Sequence, residues 1–81
     1  METIKIQQAF GQAIKSIRME KGISQEKLAE LVDLHRTYIS DIERGARNVS
    51  LVNIYRLADG LEVKVFEIFQ RLEKEYTNSR Q

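Results

Sequence analysis

The sequence predicts an all-α fold, a single compact five-helix domain over residues 1–81. Three observations carry that prediction. Proline is absent, apolar positions recur at three- and four-residue spacing, and no long stretch alternates β-branched with polar residues. A chain of 81 residues suits one core and is too short for two.

Ile6, Phe10, Ala13, Ile14 and Ile17 mark one face of a first helix that ends near Lys21. Leu28, Ala29, Leu31 and Val32 give a second, short helix, with Ser24 placed as its N-cap. Ile39 and Ile42 anchor a third. Leu51, Ile54, Leu57 and Ala58 build a fourth behind a cap at Ser50, and Val65, Phe66, Ile68, Phe69, Leu72 and Tyr76 carry a fifth. Gly22, Gly45 and Gly60 each follow a helical segment, where a left-handed residue ends the helix. Gly11 is the exception, inside or at the start of the first helix. The polar tail from Thr77 to Gln81 is expected to fray.

With 13 basic and 12 acidic residues the formal charge is +1, so total charge does not by itself indicate nucleic acid. The case for DNA rests on where the charges sit. Cysteine is absent, which excludes a disulfide framework, a thiolate metal site and a cysteine nucleophile. With one histidine and no arranged carboxylates, no metal is expected. No phosphate-cradling glycine loop or nucleophile–base pair occurs, and Glu73 and Glu75 read as solvated surface. The expectation is therefore no enzyme, no cofactor and no small-molecule ligand. No apolar run approaches a membrane span, and the N-terminus lacks a secretory pattern, so a cytoplasmic protein is expected.

The second and third helices are the informative pair. Only Asp33 and Leu34 separate Val32 from His35, a turn tight enough for the steep crossing of a helix-turn-helix. Ala29 then lies where the two backbones approach. Asp33 takes the left-handed turn position, which Asp tolerates better than most residues but less well than Gly.

The run SQEKLAELVDLHRTYISDIERGARNVSL, Ser24 to Leu51, resembles the helix-turn-helix of the Xre/lambda-repressor family. The upstream FGQAIKSIRMEKG, from Phe10, extends the resemblance to about half the chain. The family pattern places Ala at 29, apolar residues at 32, 34, 39 and 42, and Glu-Arg-Gly at 43 to 45. Within the family, small size and the phrase RTYISDIERGARNVSL look most like controller proteins of restriction–modification systems. That resemblance implies a homodimer that binds palindromic boxes and regulates its own gene and the restriction gene. It also implies a structural ion pair between Arg18 and Glu43. Three positions depart from the pattern: Asp33 replaces the commoner Gly, and His35 and Lys64 stand where better helix caps are usual.

With Ile39 and Ile42 inward, a turn of about 100° per residue sends Thr37, Ser40, Asp41 and Arg44 outward. Arg36 lies on one flank but in the first turn, the part that reaches base edges, and is expected to contact guanine. Thr37 is expected at a thymine methyl or a phosphate, Tyr38 and Ser40 at phosphates, and His35 at a phosphate or base. Arg44, Arg47 and Asn48 form a basic patch for phosphate or minor-groove contact. Gln25 is expected at a phosphate near the N-terminus of the second helix. Asp41 is expected to pair with Arg44 rather than join the site.

The last helix, about 64–76, carries an apolar surplus expected to meet a second copy through Val65, Phe66, Phe69, Leu72 and Tyr76, with Ile68 widening the stripe. Dimerisation spaces two recognition helices about 34 Å apart, matching successive major grooves of a palindromic operator in double-stranded DNA. Two dimers on tandem sites are a further expected assembly. The alternatives are a phage-type or other small Xre-like repressor, and a protein-interaction module that keeps this fold without reading DNA. The latter draws its support from the near-neutral charge and the apolar last helix, and DNA binding by a homodimer remains the leading reading.

Overall fold

The computed structural model describes residues 2–79, and these form α1 (Thr3–Glu20), α2 (Gln25–Val32), α3 (Arg36–Glu43), α4 (Leu51–Leu61) and α5 (Val65–Ser79). No strand occurs among the described residues. The expected order of five helices is the observed one.

The helix starts follow from side-chain chemistry. Ser24 Oγ accepts from the Lys27 amide at 2.9 Å and Ser50 Oγ from the Asn53 amide at 3.1 Å, so each satisfies a backbone N–H that has no partner within its helix. Lys64 has no oxygen to offer. The Glu67 carboxylate instead reaches back to the Lys64 amide at 2.7 Å, which is half of a capping box and puts a negative charge at the start of α5. His35 makes no side-chain cap bond, as its chemistry implied.

The first four helix ends close in the same way. At each, a left-handed residue turns the chain so that two successive amides reach back to carbonyls of the last turn. At α2 these are Asp33 to Glu30 at 3.3 Å and Leu34 to Ala29 at 3.0 Å. The left-handed residues are Gly22, Asp33, Gly45 and Glu62. The expectation for Asp33 holds; that for Gly60 does not. Gly60 is helical, and a Cβ there would stand 2.4 Å from Val32 Cγ1, so its missing side chain lets α2 lie against α4. Glu62 takes the left-handed position in its place, at a steric cost of about 1–2 kcal/mol.

Ile14, Leu28, Ile39, Ile42, Leu57, Leu61 and Ile68 are fully buried in one core that all five helices share. Three apolar positions differ from expectation. Leu31 and Leu51, assigned to inner faces, are exposed, while Ile68, read as surplus, fills the core. The tail differs too: α5 continues through Thr77 to Ser79, and Arg80 and Gln81 lie outside the described residues.

α1 runs alongside α5 and crosses α3. Arg71 of α5 bridges to Glu20 of α1 at 2.9 and 3.0 Å and also donates to Ser16. At the crossing with α3, Gly11 is buried, and a Cβ on it would stand 2.2 Å from the Ile42 carbonyl oxygen and 2.9 Å from that of Glu43. Backbone cannot give way as a side chain does. On an exposed helix Gly→Ala gains about 1 kcal/mol. Here Gly11→Ala is expected to lose about 2 kcal/mol through overpacking, read as a melting temperature lower by about 10 °C.

Candidate nucleic-acid interface

The helix-turn-helix is fixed by one buried carboxylate. Glu43 ends α3, and its side chain is 3% exposed. It accepts from Arg18 of α1 through Nε at 2.7 Å and Nη2 at 3.0 Å, and from Gln25 Nε2 of α2 at 2.9 Å. Arg18 also donates to the Ile23 carbonyl at 2.8 Å, in the turn between α1 and α2. One charged pair thus ties α1, α2 and α3 together, as the resemblance implied for Arg18 and Glu43. Gln25 has a role in the fold that was not expected: its amide donates to Glu43 and braces α2 against α3, and its second N–H is not used by that bond.

With Ile39, Ile42 and Glu43 buried, α3 presents its other side. His35, Arg36, Thr37 and Arg44 are exposed and Ser40 is half-buried, in agreement with the helical-wheel reading. Past Gly45 the chain turns back along α3, and Arg47 comes level with the helix it has just left. Arg47 Nε and Nη2 donate to Asp41 Oδ2 at 3.3 and 3.2 Å, while Arg44 donates to Oδ1 of the same carboxylate. The Asp41–Arg44 pair was expected and the Arg47 arm was not. Partial burial pushes the Asp41 carboxyl up, but hydrogen bonds from Arg47 and Arg44 outweigh it and hold the group below its ordinary range.

The Arg47 guanidinium also lies 5.4 Å from the centre of the Tyr38 ring, within cation–π range. The Tyr38 hydroxyl accepts from Asn53 Nδ2 at 3.1 Å, which orients the ring from α4. Leu34, His35, Thr37, Tyr38, Arg47 and Asn53 line an open groove beside the first turn of α3. Thr37 therefore lines a groove whose Tyr38 and Arg47 are held by hydrogen bonds, and its neighbour Arg36 is exposed. Asn48 is exposed in the loop beyond Arg47. Asn53 was missed because no local pattern joins it to Tyr38, fifteen residues away.

The apolar residues of α5 divide. Val65 and Leu72 pack against the core and Tyr76 is half-buried, whereas Phe66 is 58% exposed and Phe69 39%. Phe66 shares an open depression with Tyr55 and Val63, and Tyr55 is itself 60% exposed. Val52 and Leu51, three and four positions before Tyr55, continue that face of α4 and are 64% and 66% exposed. The unpartnered apolar surface thus spans α4 and α5. The signal was in the sequence: Leu51, Val52, Ile54, Tyr55, Leu57, Ala58 and Leu61 cover more of a helix than one small core can bury.

Among the described residues no helix is long and apolar enough to cross a membrane, and no cluster of His, Cys, Asp or Glu has metal-binding geometry. The helix-turn-helix family pattern matches residues 14–68. The control protein C.MunI of Mycoplasma sp is 49% identical over 76 residues, covering 93% of this chain and all of that protein. The control protein C.BamHI of Bacillus amyloliquefaciens is 57% identical over 63 residues, covering 76% of this chain and 78% of that protein. Among solved structures, the restriction–modification controller protein C.Esp1396I, as a tetramer in complex with its natural 35-base-pair operator, superposes with a TM-score of 0.82 at 42% identity, covering 89% of this chain and 95% of that one. The chain belongs to the helix-turn-helix family, among the restriction–modification controller proteins.

Proposed function

We propose that the chain is a transcription regulator, not an enzyme, that binds a palindromic operator as a homodimer and controls its own gene and a restriction gene. The observation that carries this reading is the outward first turn of α3, with Arg36 and Thr37 exposed beside a groove built from Tyr38, Arg47 and Asn53. In this reading Arg36 enters the major groove. Thr37, Tyr38 and Ser40 contact the strand beside it, and His35, Arg44, Arg47 and Asn48 hold flanking phosphates. Dimerisation runs through the exposed α4–α5 face. By analogy with the operator-bound tetramer of C.Esp1396I, two dimers fill tandem sites. The regulator acts in the cytoplasm.

Binding to duplex DNA is expected to weaken steeply with salt, because each phosphate neutralised releases counterions. Replacing Arg36 with alanine is expected to weaken the best sequence by about 1–3 kcal/mol and relax preference at one base pair per half-site. Selection from a random duplex library, followed by titration of the winner and of random duplex, measures both. Equal weakening on the two duplexes removes Arg36 from base readout, and no saturable duplex binding at low salt removes the whole reading.

A further inference from the structure

Resting on the DNA-binding reading above, we infer that Asp41 sets specificity, acting as an internal stand-in for a phosphate that holds Arg44 and Arg47 on the recognition helix and restrains them from non-operator DNA. A carboxylate that is not paired would repel a polyanion meeting this surface. The Asp41 carboxylate sits on the outward side of α3, its side chain only 16% exposed and paired with two arginines whose own side chains are 65% and 52% exposed.

Two consequences follow from that geometry. The cluster carries one net positive charge instead of two, which reduces the counterion release that drives sequence-independent binding. Arg47 is also fixed in place. Two of its nitrogens are bonded to Asp41 Oδ2 and its plane lies near the Tyr38 ring, although it belongs to the loop beyond Gly45. A guanidinium has further N–H groups that can meet a phosphate without leaving the carboxylate. A duplex that fits the whole surface therefore gains prepositioned donors, and one that meets it only through charge gains less.

The test compares Asp41→Asn with the wild-type protein on random duplex and on the duplex that the wild type enriches from a random library. Random-duplex affinity is expected to rise about three- to tenfold near 0.1 M salt, with the log–log salt slope steeper by about one. The enriched duplex is expected to gain less, so the ratio of the two affinities falls. Glu73→Gln, which removes one exposed negative charge from α5, controls for net charge and is expected to move neither quantity. Equal gains from Asp41→Asn and Glu73→Gln overturn the inference, as does an unchanged random-duplex affinity in Asp41→Asn. In both cases wild-type binding leaves the functional reading standing. A wild-type protein that binds no duplex overturns both.

Discussion

Glu43→Ala is expected to destabilise the domain by about 3–5 kcal/mol, a large share of the whole stability of a domain this small. The size of the effect comes from what is left behind. Arg18 has a side chain 11% exposed and would keep only its bond to the Ile23 carbonyl. Gln25 would lose its acceptor on α3. An unpaired, nearly buried guanidinium costs several kcal/mol, far more than an exposed ion pair contributes. Urea denaturation followed by helix signal measures the change through the transition midpoint. Arg18→Met combined with Glu43→Leu separates the penalty of an orphaned charge from lost packing, because apolar replacement of both partners is expected to recover most of the stability. An unfolding free energy for Glu43→Ala within about 1 kcal/mol of wild type contradicts the role given to this carboxylate. Because the same bonds set α3 against α1 and α2, DNA affinity should fall with the stability of this variant and return in the apolar double variant if packing alone holds the helix angle.

The local features were legible in the sequence. Ser24 and Ser50 cap the helices they were expected to cap, Gly22 and Gly45 end helices in the left-handed region, and Asp33 takes the turn. Each depends on neighbours within a few residues. What stayed hidden depends on distant partners. Gly60 and Gly22 are the same letter, yet one exists for a backbone angle and the other for the close approach of Val32, which only the packing of α2 on α4 reveals. Gln25 at a helix start suits a phosphate as well as a carboxylate, and Glu43 claims it from eighteen residues away. The Asp41–Arg47 bond crosses the bend at Gly45, beyond any helical-wheel rule. On α4, periodicity marked a helix but not which apolar face is inward. Leu51 was placed in the core, and Val52 and Tyr55 were not assigned to the exposed face they share with it.

That face supports the second large effect. Phe66→Asp is expected to convert the protein to a monomer and weaken binding to a palindrome by two to four orders of magnitude, roughly the gain a linked second site confers. Affinity for a single half-site should stay as in wild type. Phe66 is 58% exposed and lies in one depression with Tyr55, so a carboxylate there disturbs little within the isolated chain. In a two-fold contact the same residue occurs twice, so the substitution would bury two carboxylates in an apolar setting without partners. Sedimentation equilibrium reads the assembly, and a melting curve at low concentration shows whether the monomer fold survives. A Phe66→Asp protein that still dimerises would place the contact elsewhere. If it is monomeric but binds the palindrome as tightly as wild type, the two recognition helices are not coupled through this surface. Arg36 and dimer contact act on different quantities: the arginine discriminates within one half-site, whereas the α4–α5 face fixes the distance between two. Combining Arg36→Ala with Phe66→Asp is therefore expected to leave half-site affinity at the level of Arg36→Ala alone, since the separate loss from Phe66→Asp exists only where two half-sites are available to bridge.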